Sequence, residues 1–319
     1  MLYGIIDIGS NTIRLSVYDV DERTGDFTLF FKLKTMAGLV SYIDPDTRKM
    51  SDAGVEKLER VLADYLRCTS KFRDLKGPYV FATAGVRNAK NAKDVVARVD
   101  HALGLSIDLV SGKDEASLGY EGAMRVSDLR TGVQLDVGGG SSEVTTFRNG
   151  RPLNATSIPV GSLSLFDRFV HGFLPVPAEA DRIRAVIDDA LERDEDFDGF
   201  SCKNASGVGG SARVALRLRD AWVGGDRHAG RAGRTITAAE IAQVLERVSY
   251  DPHRALRDIL QIAPERAHTC IPGIVVIQTV MRHFGCERME VNDSGVREGY
   301  LMTRVLVRRG SGRGTTTTR

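Results

Sequence analysis

One loop occurs twice in this chain. Gly4-Ile5-Ile6-Asp7-Ile8-Gly9-Ser10-Asn11-Thr12 is matched by Val133-Gln134-Leu135-Asp136-Val137-Gly138-Gly139-Gly140-Ser141, with Asp7 aligned to Asp136 and Gly9 to Gly138. In each copy an apolar run ends in Asp, a turn of small residues follows, and a second strand-like run begins (Ile13 to Tyr18; Glu143 to Phe147). The pattern predicts a β-hairpin whose tight turn admits something bulky and charged, because glycine lets a backbone come close to a ligand. Successive N–H groups in such a turn form an anion-binding nest. A carboxylate beside them repels a bare phosphate, so the pattern makes chemical sense with a divalent cation between the two. Either copy alone could equally be an ordinary glycine-rich hairpin. Two matched copies predict two half-domains facing each other across a phosphate-holding cleft.

A chain of 319 residues accommodates two such domains at ~150 residues each. Its 42% hydrophobic and 27% charged content supports a sizeable core. The net charge of +2 argues against a general nucleic-acid binder. Charge is uneven, however: five arginines and two aspartates fall between Arg217 and Arg234, and five arginines and no acid between Arg304 and Arg319. The four cysteines (Cys68, Cys202, Cys270, Cys286) show no CxxC spacing and read as small buried hydrophobes in a reducing compartment. No apolar run approaches the ~20 residues of a membrane span, and the N-terminus lacks a basic leader, so a cytoplasmic protein without a membrane partner is expected. The six histidines lack metal-ligand spacing, and no zinc site is expected.

Strands are predicted at Tyr3–Ile6, Arg14–Tyr18, Phe27–Leu33, Tyr79–Ala82, Ser106–Val110 and Met289–Val291. Val55, Leu58, Val61, Leu62, Tyr65 and Leu66 recur at helical spacing after Ser51. Further helices are predicted from Arg87 to Leu103, from Ser111 to Val126, at Ala178–Asp194, after Thr237-Ala238-Ala239-Glu240, at Ile274–Phe284 and at Gly295–Arg309. Ser111/Asp114 and Thr237/Glu240 have capping-box spacing. Strands and helices interleave in both halves, so the class is α/β. The division is drawn as 1–127 and 128–309, with a flexible tail at 310–319.

Several segments resemble the exopolyphosphatase/guanosine pentaphosphate phosphatase family. They are Asp7-Ile8-Gly9-Ser10-Asn11-Thr12, Ala82-Thr83-Ala84-Gly85-Val86-Arg87, Ser111-Gly112-Lys113-Asp114-Glu115-Ala116, Asp136-Val137-Gly138-Gly139-Gly140-Ser141-Ser142-Glu143, Gly207-Val208-Gly209-Gly210-Ser211 and Arg297-Glu298-Gly299. Their order fits from residue 3 to about 305. The chain departs from the family pattern at Asp114, where Glu is usual, at His268, where Asp is common, and at Ser294, where glycine is more usual. The resemblance implies the short form, two actin-like domains of the ribonuclease H-like, sugar kinase/Hsp70/actin superfamily with a cleft between them. It implies a homodimer that uses Mg²⁺ or Mn²⁺ to remove terminal phosphate from inorganic polyphosphate or the 5′-γ-phosphate of guanosine pentaphosphate (pppGpp). A kinase or ATPase of the same fold, or a non-catalytic sensor of polyphosphate or guanosine tetraphosphate, are the other readings.

Phosphoanhydride hydrolysis requires an in-line water, charge neutralisation and a group that deprotonates or orients the water. By resemblance that group is Glu115; the plain alternative is that Asp114 and Glu115 only complement a helix dipole. Asp7 and Asp136 would hold the metal, directly or through water, and Glu143 either joins them or orients the water. Arg87 offers a bidentate fork to phosphate, or is a solvated arginine at a helix start. Ser10, Asn11, Gly139, Gly140, Ser141 and Ser142 offer hydroxyl, amide and backbone donors, although the serines could simply cap turns. Gly209, Gly210 and Ser211 precede a helix, another anion site in principle. The stretch Arg227-His228-Ala229-Gly230-Arg231-Ala232-Gly233-Arg234 is either a solvated loop or a basic guide for a polyanion.

Overall fold

In a computed structural model of the protein the described residues are 1–224 and 232–307. Arg227 and Arg231 of the basic stretch, and the expected 310–319 tail, lie outside them. The chain divides into two compact units: Met1–Gly112 with the C-terminal segment that begins at Arg297, and Lys113–Val296. The sequence reading drew the division at 127/128 instead.

In the first unit, β1 (Leu2–Ile8), β2 (Thr12–Val20) and β3 (Phe27–Met36) form an antiparallel meander. After helix α1 (Asp52–Thr69), strand β4 (Lys76–Ala82) adds parallel to β1. Helices α2 (Ala84–Arg87) and α3 (Ala92–Leu103) lead to β5 (Ile107–Leu109), parallel to β4. The sheet order is β3-β2-β1-β4-β5. Central β1 buries residues of both faces, which is why Tyr3–Ile6 reads as a run with no alternation. Helix α1 starts where Ser51 accepts the Gly54 N–H, and it buries Val55, Leu58, Val61, Leu62 and Tyr65. Each such aliphatic side chain contributes roughly 1.5–3 kcal/mol of transfer energy. The Tyr65 hydroxyl donates to Ile13 O at 2.9 Å, fixing the helix on the β2 side of the sheet.

The second unit repeats this topology. It opens with α4 (Gly112–Met124), then β6 (Gly132–Val137), β7 (Ser142–Arg148) and β8 (Arg151–Ile158) form the meander. Helices α5 (Ser162–Phe169) and α6 (Pro177–Glu192) precede β9 (Asn204–Val208), which lies parallel to β6. Next come α7 (Gly209–Arg219), β10 (Thr235–Thr237), α8 (Ala238–Tyr250), α9 (Pro252–Ile262), α10 (Cys270–His283) and β11 (Arg288–Val291), the last parallel to β9. The order β10-β11-β9-β6-β7-β8 is the first sheet's order plus one antiparallel edge strand. β1 therefore corresponds to β6, β2 to β7 and β4 to β9. The duplicated loop joins the first two strands of each meander.

The Thr237/Glu240 capping box forms, with Thr237 N–H on Glu240 Oε2 at 2.7 Å and Glu240 N–H on Thr237 Oγ1 at 3.2 Å. Helix α10 is buried along nearly its whole length and is the spine of the second core. The helix expected at Gly295–Arg309 is α11 (Val296–Tyr300), continued by a π-helical segment, Leu301–Leu306. No helix among the described residues is long and apolar enough to cross a membrane.

Candidate active site

In the second unit, Asp136 on β6 has Glu143 of β7 as its ladder partner, and Glu143 has Ser157 of β8 on its other side. Directly opposed residues share a face of the sheet, with Cβ atoms ~4.5–5.5 Å apart. Glu143 is only 2% exposed, and its Oε1 accepts from Ser141 Oγ and Ser157 Oγ, each at 2.7 Å. On the opposite side of β6, Asp136 pairs with Val208 at the end of β9. The next residue, Gly209, has φ +84° and approaches so closely that any side chain would overlap Asp136 Oδ1. Only glycine meets both conditions. Ser157, Glu143 and Asp136 thus form one row across the sheet, with Gly209 packed against the Asp136 carboxylate.

The turn between β6 and β7 is fixed from one side. Gly138 N–H donates to Ser141 O, and the carbonyls of Gly138 and Gly139 accept the first N–H groups of α5, from Ser162, Leu163 and Ser164. Gly161, just before α5, presses on the turn: a Cβ there would lie 2.5 Å from Gly140 N. Among the described residues no acceptor takes the Gly139 or Gly140 N–H, so these are donors the turn can offer to an anion. Of the two readings of the serine hydroxyls, the structure shows bonds within the protein. Ser142 Oγ donates to Val160 O at 2.6 Å and Ser211 Oγ to Val137 O at 3.4 Å, both in buried positions. Ser141 Oγ serves Glu143.

Glu115 belongs to the same unit. It lies in the first turn of α4 and is 8% exposed, whereas a dipole-complementing acid has no reason to leave water. The helix is held on the carboxylate face of the sheet. Thr145, two residues after Glu143 on β7 and so on the same face, donates its hydroxyl to Ala116 O at 3.1 Å. Gly119 rests on the Gln134 side chain, and Ser294 Oγ donates to Gly122 O at 2.6 Å. Ala116, Gly119 and Ala123 make one small-residue face that admits this close approach.

One residue absent from the sequence reading as a ligand group is Arg266. Its guanidinium lies flat against Gly210 at the start of α7, where a Cβ would meet Arg266 Nε at 2.5 Å. A cation is therefore placed at the helix N-terminus beside Asp136. The available signal was the second glycine of Gly209-Gly210, which a helix start does not otherwise need.

In the first unit the duplicated turn is built the same way but is charged differently. Gly9 N–H donates to Thr12 O, Asn11 O accepts from Ala37 and Gly38, and Ser10 O accepts from Val40. Gly85 packs on the turn, since a Cβ there would lie 2.6 Å from Ser10 Cα. Asp7, Ser10, Asn11 and the α2 backbone are thereby brought together. Arg87, at the end of α2, donates from Nη1 to Val110 O at 3.0 Å. The ladder partner of Asp7 is Arg14, in the position that Glu143 holds opposite Asp136. Arg14 Nη1 is 3.6 Å and Arg297 Nε 4.0 Å from Asp7 Oδ2. Arg297 is itself held by Ser16 Oγ at 3.0 Å, and neighbouring Glu298 accepts from Tyr18 OH at 2.5 Å. Burial pushes the Asp7 carboxyl above its ordinary range, against the pull of the two guanidiniums.

These charges bear on the implied metal. Among the described residues no group of three or more His, Cys, Asp or Glu side chains is arranged to hold an ion. Mg²⁺, however, is commonly bound by one or two carboxylates with substrate phosphates and waters completing the shell. The opposed Asp136 and Glu143 carboxylates supply the one or two carboxylates that such a site uses. Asp7 already faces two cations.

The model of the Ppx/GppA phosphatase family matches residues 16–307. The chain belongs to this phosphatase family. Among curated relatives of this Ppx/GppA member, exopolyphosphatase 1 of Mycobacterium tuberculosis (strain ATCC 25618 / H37Rv) is 26% identical over 317 residues, covering 96% of this chain and 88% of that protein. Exopolyphosphatase 1 of Mycobacterium leprae is 26% identical over 313 residues, covering 96% and 90%. An exopolyphosphatase structure from Cytophaga hutchinsonii has a TM-score of 0.81 at 17% identity, covering 95% of this chain and 97% of that one. The Aquifex aeolicus family member gives 0.78 at 21% identity, covering 97% and 98%. These structures share the actin-like fold expected from the sequence.

Proposed function

We propose that this Ppx/GppA phosphatase is a Mg²⁺-dependent exopolyphosphatase that hydrolyses the terminal phosphoanhydride of inorganic polyphosphate by attack of water. The observation that carries the reading is the buried Glu115, held by α4 to the strand on which Glu143 stands opposite Asp136. In this reading Glu115 accepts the proton of the attacking water, and Glu143, oriented by two serine hydroxyls, helps to place that water. The Gly139 and Gly140 N–H groups and the N-terminus of α7, with Arg266 beside it, receive phosphate oxygens. Asp136, with Glu143, would hold Mg²⁺, which when bound neutralises charge on the phosphates. The choice of polyphosphate is supported by the name that the mycobacterial relatives carry.

The test is phosphate release by the purified chain from long polyphosphate, short polyphosphate and pppGpp, without an acceptor. Release from polyphosphate is expected. Preference for pppGpp would redirect the substrate, binding without release would make the protein a sensor, and a need for an acceptor would make it a kinase.

Asp136→Asn is expected to move the Mg²⁺ dependence of activity upward by at least the ~10–100-fold that loss of an outer-sphere partner costs. Asp7→Asn should move it much less, because Arg14 and Arg297 already balance that carboxylate. Equal Mg²⁺ titrations for Asp136→Asn and the unaltered chain would remove Asp136 from the metal site.

The basic stretch gives a second expectation. Of its arginines, Arg234 is described; it is 58% exposed and 3.7 Å from Asp293. Replacing Arg227, Arg231 and Arg234 together by alanine should raise KM for long polyphosphate by roughly 3–160-fold, taking ~0.2–1 kcal/mol for each of three ion pairs with the polyanion. Short chains should be little affected, and the difference should shrink at high salt. Equal losses on both lengths would show a solvated connection.

A further inference from the structure

Cys202 and Cys286 bring their Sγ atoms to 3.4 Å from each other. Neither takes part in phosphoanhydride hydrolysis, and the pair's own chemistry is independent of that activity. The sheet sets their positions. Asn204 and Arg288 are ladder partners at the starts of β9 and β11, and each cysteine lies two residues upstream of one of them. The pairing extends into that upstream backbone: Cys202 N–H donates to Phe284 O and Glu287 N–H to Lys203 O, both at 2.9 Å. Neighbouring strands run ~4.8 Å apart, inside the range of Cα separations that a disulfide accepts. Shortening the contact to a bond of ~2.0 Å therefore needs side-chain rotation and little backbone movement.

The two thiols are not equivalent. Cys202 is half-buried and Cys286 buried. Hydrogen bonding from Cys286 holds the Cys202 thiol below its ordinary value, against the opposing effect of burial. The same contact, with burial, pushes Cys286 up. Cys202 also lies 3.4 Å from Asn204 O, an alternative acceptor for its proton.

We infer that Cys202 and Cys286 are an oxidation site, closed by a hydroperoxide to a reversible intrachain disulfide. The Cys202 thiolate attacks one oxygen of hydrogen peroxide; an S–O bond forms, the O–O bond breaks, and the departing hydroxide takes a proton to leave as water. The Cys286 sulfur then attacks Cys202 sulfur; an S–S bond forms and the S–O bond breaks. The second hydroxide leaves with the Cys286 proton as water. Two thiols are oxidised, one peroxide is reduced, and two waters are formed. The bond would join the starts of β9 and β11. β9 runs on into Gly209, and β11 into the Asn292–Gly295 segment whose Ser294 holds α4, so oxidation clamps two strands that carry site loops.

The test uses the full chain with its four cysteines, treated with equimolar hydrogen peroxide and then denatured for thiol counting and peptide mapping. Cys68 in α1 and Cys270 at the start of α10 serve as internal controls. The expected result is a fall from four free thiols to two, a Cys202–Cys286 cross-linked peptide, a higher melting temperature, and reversal of all three by dithiothreitol. Cys286→Ser should leave a Cys202 sulfenic acid that dimedone traps. Four unreacted thiols, disulfides between chains, or sulfinic acid at Cys202 in the unaltered protein without a cross-link would each overturn the inference.

Discussion

Glu115→Gln is expected to lower kcat by about 10²–10⁴ while the protein stays folded and keeps its affinity for polyphosphate. The amide matches the carboxylate in size but takes no proton, so only the step in which water loses its proton is impaired. The site predicts this separation. Glu115 is in the first turn of a helix pinned at Ala116, Gly119 and Gly122, and none of these contacts uses its carboxylate. Helix position, and with it the rest of the carboxylate face, should survive the change. Steady-state kinetics, calorimetric binding to a non-turned-over polyphosphate complex and a melting curve read the three parts of the statement. A kcat within a factor of a few of the unaltered protein would remove Glu115 from the water-activating role.

Gly161→Ala should be nearly as damaging, for a purely geometric reason. The added methyl would sit 2.5 Å from Gly140 N and closer still to the Gly139 carbonyl. Those atoms are backbone, anchored by three N–H groups of α5, and cannot swing aside like a side chain. The turn must move as a whole, and its two outward N–H groups move with it. A displacement near 1 Å in groups that position a reacting phosphoryl costs on the order of 10²-fold in rate. Overpacking of this kind destabilises by ~1–3 kcal/mol, a few degrees of melting temperature for a unit of this size. Gly172→Ala is the control, because its nearest neighbour would be Leu174 O at 3.8 Å. An alanine at 161 with normal kcat/KM would mean that the turn does not bind the reacting phosphate.

Much of this was legible in the chain itself. The duplicated loop foretold the hairpin that opens each meander, since an apolar run, a small-residue turn and a second apolar run allow few other folds. The buried stripe of α1 and the Thr237 capping box were visible as spacing. The difference between the two loops was also visible, as Arg14 and Glu143 each lie seven residues after their aspartate; its meaning required the ladder register, which puts each opposite its aspartate. Other features had no local signal. The clamps of Gly85 and Gly161 on distant turns, and of Arg266 on Gly210, are contacts between segments whose separation in sequence is arbitrary. The Cys202–Cys286 contact depends on the parallel pairing of β9 and β11. The return of Arg297 to the first unit is set by its pairing with Asp7 and Ser16, which no periodicity encodes. Which of the two readings of the serine hydroxyls, ligand donor or turn cap, applies has no local signal, because a turn's composition does not reveal which side chains face inward.

The central claim is that water, positioned in the second unit, attacks the terminal phosphorus of polyphosphate. Turnover in ¹⁸O-labelled water, with Mg²⁺ and no acceptor, followed by mass analysis of the released phosphate, tests it most directly. One labelled oxygen in each phosphate released is the predicted result, with the rate of label incorporation reduced about 10²–10⁴-fold in Glu115→Gln. Phosphate released without label, or none released until an acceptor hydroxyl is supplied, would contradict the account.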